Sequence, residues 1–143
     1  MALNQHSPTV FPTLRYHNTP EAIRFLTETL GLTAGKVTHG PDGRIAHAVL
    51  GWGNGMIMIS SRGKEPSPFD TGQACLYLVV EDPDAQHDRA VAAGAEIVMP
   101  LVDQDYGSRE FATRDPEGNV WCFGTYQPAP LAPTAPLAPA VPS

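Results

Sequence analysis

Two cysteines, two tyrosines, two arginines and one histidine are the side chains best placed to do chemistry, because each sits in or beside a strand-like apolar run. Cys75 and Tyr77 alternate in Ala74-Cys75-Leu76-Tyr77-Leu78, so they share one side of a strand. Cys122 alternates with Trp121 and Phe123, which puts it opposite those two rings. Two thiolates on adjoining strands could hold a soft metal or pair under oxidation. As thiols they would instead fill the floor of a cleft as small hydrophobes. Tyr77 offers a ring and a hydroxyl to a ligand with one polar handle. His47 is mid-strand in Ile45-Ala46-His47-Ala48-Val49-Leu50 and faces away from a helix covering Ala46, Ala48 and Leu50. There it could accept a proton, hydrogen-bond a ligand or bond to a neighbouring strand. Arg15 is a cation in a strand that otherwise reads as buried. It suits either a ligand carboxylate or phosphate or an internal acidic partner.

Tyr106, Ser108 and Arg109 enter a strand from a loop, and such loops often rim clefts. Tyr106 and His47 are the candidates for acid–base catalysis. Trp52, beside the Gly53-Asn54-Gly55 turn, is a candidate rim aromatic whose side cannot be assigned. Trp121 and Phe123 read as packing beneath a helix. His39 and His87 read as solvated surface.

The elements that position these residues come in two copies. Sliding the chain by 63 residues lays Pro20 on Pro83, Ala22 on Ala85, Gly31 on Gly94 and Gly55 on Gly118. Each copy reads as a strand (11–17, then 74–80), a cap at Thr19 or Asp82, and a proline-initiated helix (20–30, then 83–93). Three β segments follow each helix, near 34–39, 44–52 and 56–61, then 96–101, 109–114 and 119–126. Pro41-Asp42-Gly43, Gly53-Asn54-Gly55 and Asp115-Pro116-Glu117-Gly118 read as hairpin turns. The fold expected is α+β: tandem βαβββ modules forming a curved mixed sheet, helices outside. One helix covers one face of a four-stranded sheet, so the other face is left for a cleft or a partner.

Composition bounds the rest. At 143 residues, with 42% hydrophobic and 17% charged side chains, the chain supports one packed domain. A net charge of −6 argues against a nucleic-acid or anionic-membrane partner. No apolar stretch is long enough to cross a membrane, and the N-terminus does not read as a signal peptide. A cytoplasmic, reducing setting is expected. Residues 1–9 read as a loose start and 10–126 as the domain, with repeat units over 10–62 and 73–126. Residues 127–143, with six prolines and five alanines, read as a tail outside the fold.

Leu14-Arg15-Tyr16, His47-Ala48, Ile57-Met58-Ile59, Asp105-Tyr106-Gly107-Ser108-Arg109 and Arg114-Asp115-Pro116-Glu117-Gly118-Asn119-Val120-Trp121, set in a tandem βαβββ frame, resemble the vicinal oxygen chelate superfamily. That group includes glyoxalase I, extradiol dioxygenases and bleomycin-resistance proteins. The resemblance spans roughly residues 10–126 and lies closest to the glyoxalase/bleomycin-resistance-like branch. In metal-dependent members it implies four ligands, His, Glu or similar, from the first and last strand of each copy. Those positions fall on Cys75 and Cys122, on Phe11 or Pro12, and on Ile59. Phe, Pro and Ile cannot ligate a metal through their side chains, so no metal and no other cofactor is expected. The resemblance further implies a homodimer with clefts built across the interface.

The reading is a small-molecule-binding protein that holds a partly aromatic metabolite or antibiotic. Arg15, His47, Trp52, Ile59, Cys75, Tyr77, Tyr106, Arg109 and Cys122 would line its site. The alternative is a lyase, isomerase or dioxygenase-type enzyme, with an unconventional metal on Cys75, Cys122 and His47 or metal-free acid–base chemistry on His47, Tyr77 or Tyr106. A third is an interaction module recruiting a partner through the proline-rich tail.

Overall fold

Eight strands and two helices form along residues 8–131, the part of the chain that the computed structural model describes. Residues 1–7 of the expected loose start over 1–9, and 132–143 of the expected tail, fall outside the described residues. The first half contains β1 (Thr13–Tyr16), α1 (Thr19–Arg24), β2 (Thr33–His39), β3 (Ile45–Trp52) and β4 (Gly55–Ser61). The second contains β5 (Cys75–Val79), α2 (Pro83–Ala92), β6 (Glu96–Asp103), β7 (Arg109–Arg114) and β8 (Val120–Gly124). Each half forms its own four-stranded mixed sheet, ordered β1-β4-β3-β2 and β5-β8-β7-β6. The first and last strands of each half pair in parallel, and the remaining pairs are antiparallel. The architecture is α+β, as the residue pattern predicts.

Alternation sends one face of each sheet under its helix. In the first half Leu14, Tyr16, Ala48, Leu50 and Ile59 bury with Ala22, Leu26 and Leu30. In the second, Phe111 stacks on Phe123 at 5.4 Å, and Trp121 is fully buried beside them. His87 is not free surface: its ring packs edge-on against Phe111 at 5.2 Å and is partly buried. An imidazole carries enough apolar area to extend a helix face that alanine alone would leave thin.

The match between the halves is not a uniform 63 residues. Leu14 and Leu78 lie 64 apart and pair with Ile59 and Phe123, also 64 apart. The helix caps are Asn18 and Asp82, whose side chains accept from the backbone N–H groups of Glu21 and Ala85. Thr19, the expected cap, is instead fully buried, with its hydroxyl 2.7 Å from that of Ser61. Both helices nevertheless end at left-handed glycines, Gly31 and Gly94, only 63 apart. The first helix therefore holds one extra residue. It absorbs it by continuing α1 as a π-helical turn over Phe25–Thr29, closed by Leu30 N–H to the Phe25 carbonyl at 3.1 Å.

Polar groups of the first half find their partners in the second. The buried Asp115 carboxylate accepts from the Tyr16 hydroxyl at 2.7 Å, the Trp121 indole at 3.0 Å and the Asn119 backbone N–H at 3.0 Å. Burial, then the facing Asp115, raises the Tyr16 pKa well above the ordinary phenol range. Glu117 accepts from the backbone N–H groups of His17 and Asn18, each at 2.8 Å, just ahead of α1. At the far end of that helix, the Gln86 amide donates to the Leu30 carbonyl at 2.6 Å. Arg89 reaches the Thr27 and Glu28 carbonyls nearby. These side chains satisfy helix-end groups that would otherwise lack partners.

Replacing Asp115 by Ala strands the Tyr16 hydroxyl and the Trp121 indole in the core. We expect the unfolding free energy to fall by about 3 kcal/mol, at roughly 1–3 kcal/mol per orphaned donor. Urea titration followed by circular dichroism measures it. A loss below about 1 kcal/mol would mean that this carboxylate is not central to the fold.

Candidate functional site

The face of each sheet that no helix covers is where chemistry can occur. On the second sheet, Tyr77 pairs with Cys122, Cys122 with Ala112, and Glu110 with Gly124, so these residues form one patch. Cys75 is exposed, Cys122 partly buried, and Tyr77 40% exposed. Burial, then the nearby Glu110 and Cys75, pushes the Cys122 thiol up to about 11. Tyr77 donates to the Tyr126 carbonyl at 2.7 Å, and burial is the first cause of its raised pKa.

Glu110 is the residue that sequence reasoning missed. It is only 4% exposed and stands on β7 between the core residue Phe111 and the loop over 104–108. Its Oε1 accepts from the Tyr106 hydroxyl at 2.7 Å and the Gln104 amide at 3.3 Å. That bond to Glu110 is the main reason the Tyr106 pKa rises to about 12. Gly124 makes room for the group: a Cβ there would lie 2.5 Å from the Tyr77 hydroxyl and 2.7 Å from Glu110 Cγ. Alternation about Phe111 was the available signal, since it turns Glu110 to the side opposite the core ring.

The other predicted residues are placed as follows. His47 and Arg15 lie on the uncovered face of the first sheet. His47 is exposed, opposite Thr38. Arg15 has an internal partner, Asp70 at 3.4 Å, and lies over the Phe69 ring at 5.5 Å. The Ser67 backbone N–H is the first cause holding the Asp70 carboxyl below its usual range, and the Arg15 guanidinium adds to it. Tyr106 is 58% exposed at the patch edge.

Two positions need correction and one gains a definite place. Ile59 is 1% exposed beneath α1 and does not line a cleft. The paired strands are offset by 64, so the counterpart of Cys122 is Met58 and that of Cys75 is Phe11. Arg109 is not free for a ligand. It holds Asp84 at 2.6 Å and Asp103 at 3.2 Å on the helix side, and Asp84 is the first cause of its raised pKa. Trp52 sits at the joint of the two halves, where its indole donates to the Val79 carbonyl at 2.8 Å. It borders a cavity of about 580 Å³ also lined by Leu32, Met56, Leu76 and Trp121.

The profile of the glyoxalase/bleomycin resistance protein/dioxygenase superfamily matches residues 10–123. The chain belongs to this superfamily. An uncharacterised protein of Mycobacterium bovis is 33% identical over 133 residues, covering 87% of this chain and 86% of its own. A counterpart in Mycobacterium tuberculosis is also 33% identical, over 87% of this chain and 77% of that one. Among solved structures, TioX from Micromonospora sp. ML1 is 30% identical with a TM-score of 0.68, covering 80% of this chain and 97% of that one. A lactoylglutathione lyase from Agrobacterium tumefaciens shares the fold at 20% identity and a TM-score of 0.62, over 82% and 93% of the two chains.

Metal-dependent members of the superfamily set four ligands where this chain has Phe11, Met58, Cys75 and Cys122. That donor set does not fit the usual His and Glu quartet: a phenyl ring cannot ligate, and a thioether is a weak, soft donor. Among the described residues, no group of three or more His, Cys, Asp or Glu side chains is gathered closely enough to hold an ion.

The two thiols should be distinguishable. On the folded chain at pH 8, iodoacetamide should label the exposed Cys75 before Cys122, and Cys122 labelling should keep accelerating toward pH 11. The raised value also means that the thiol form favours folding. This contribution is complete below the ordinary value near 9 and fades as pH rises through about 11. Peptide mapping by mass spectrometry reads the order. Equal labelling at pH 8 would contradict this placement of Cys122.

Proposed function

We propose that this chain is a metal-independent small-molecule-binding protein of the glyoxalase/bleomycin-resistance type, holding a partly aromatic metabolite or antibiotic. The observation that carries the reading is the uncovered face of the second sheet. It combines an apolar floor, a half-exposed tyrosine and a buried carboxylate where the superfamily's metal chemistry has no matching donors. Binding needs only shape, apolar lining and a few fixed polar groups. An acidic chain with two free cysteines suits a reducing, cytoplasmic setting.

We further propose that the site is completed by a second copy. The two sheets are separate within the chain, which leaves Cys75, Tyr77 and His47 exposed on their uncovered faces. Apolar and aromatic groups left so open are a motive for pairing. Light scattering should give a mass near twice 15.3 kDa at micromolar concentration. A monomer there would remove the dimer.

A thermal-shift and tyrosine-fluorescence screen across aromatic metabolites and antibiotics tests the binding reading. Saturable stabilisation by at least one class is expected. A flat response throughout, or stoichiometric metal in protein purified without chelators, would sink it.

A further inference from the structure

Glu110 has a feature that the binding reading does not by itself explain. It is a 4% exposed carboxylate with no Lys, Arg or His within ion-pair distance among the described residues. A carboxylate largely withdrawn from water without a cation is costly, and such a group is a candidate for binding one. The neighbouring Arg109 does not serve it, being turned to the opposite side by Asp84 and Asp103. Only neutral groups, the Tyr106 hydroxyl and the Gln104 amide, meet Oε1; among the described residues none donates to Oε2, which is not sealed from solvent and so stays reachable by a ligand.

The surroundings are aromatic. The Tyr106 and Tyr126 rings meet edge to face at 6.1 Å, and the Tyr77 hydroxyl is tied to the Tyr126 carbonyl at 2.7 Å. These three rings are 58%, 49% and 40% exposed, so each leaves surface open to a ligand beside the acid. Gly124 is the fourth element, since any side chain there would displace both Tyr77 and Glu110. Ring faces carry negative potential and attract cations, most strongly where water is partly excluded. The net charge of −6 adds a long-range field of the same sense.

We propose that Glu110, with the rings of Tyr77, Tyr106 and Tyr126, forms an anchoring subsite for the cationic group of the ligand, a protonated amine or quaternary ammonium attached to an apolar or aromatic body. Tyr106 holds the place: its hydroxyl satisfies Oε1 in the free protein and yields it to an ammonium N–H when the ligand arrives. An anionic or purely neutral ligand would leave Glu110 with its neutral donors and no cationic partner. The assignment rests on the binding reading above and narrows its ligand class.

Calorimetric titration of the full chain with matched pairs tests it, using 2-naphthylmethylamine against its N-acetyl derivative and benzyltrimethylammonium as a second cation. The free amine should bind saturably and about ten-fold or more tighter than the acetamide, a difference of about 1.4 kcal/mol. Glu110→Gln, which keeps the shape, should erase that preference. Tyr77→Leu gives a second measurement should Glu110→Gln misfold, and should weaken both cations several-fold while sparing the acetamide. Equal binding of amine and acetamide would overturn the cationic subsite and leave small-molecule binding standing. Retention of the preference in Glu110→Gln would overturn it too. No saturable binding of either cation or of the acetamide would count against both.

Discussion

Asp115 is a carboxylate almost closed off from water, and the rest of the molecule is arranged to make that tolerable. A tyrosine from β1, an indole from β8 and the backbone of its own turn all donate to it. The donors come from both halves, so satisfying one acid brings the two sheets into a fixed relation. The adjoining Glu117 extends the effect by capping the chain ahead of α1. A hairpin turn in the second half thus completes a helix in the first. Hydrophobic burial supplies the larger free energy, but it is not directional. Hydrogen bonds to a buried acid are directional, and leaving them unmade is costly.

Much of this organisation is legible in the residues. Prolines 20 and 83 mark the helix starts, glycines 31 and 94 mark their ends, and strand alternation separates Trp121 and Phe123 from Cys122. What sequence could not supply is the one-residue slip between the halves. A constant offset puts Ile59 opposite Cys122, whereas hydrogen-bond register puts Met58 there. The strands keep an offset of 64 on both sides of the helix, while the glycines that end the helices stand 63 apart because of the added residue in the π-helical turn, so the most visible punctuation misreports the strand register.

The site was legible only in part, for a different reason. Tyr77, Cys75 and Cys122 follow from alternation on neighbouring strands, and the register brings them together. Arg109 reads as an available cation because its partners, Asp84 and Asp103, come from a helix and another strand. Glu110 reads as an ordinary charged strand residue for the same reason. Its donors lie in the preceding turn, and the space it occupies is created by Gly124 on the adjacent strand. Charge is visible in a sequence; what neutralises it is a property of the assembled neighbours.

Trp52 has a different kind of significance. Its indole N–H is spent on a carbonyl of the opposite half, while its ring meets Phe123 edge-on at 5.5 Å. The chain's other tryptophan, Trp121, is fully buried, with its indole on the Asp115 carboxylate that also holds Tyr16. Both intrinsic emitters therefore face the joint between the halves, Trp52 from a partly open position and Trp121 from a sealed one. A hinge-like parting of the sheets would redden the emission of Trp52 first, so native optical spectroscopy could follow breathing of the joint ahead of unfolding.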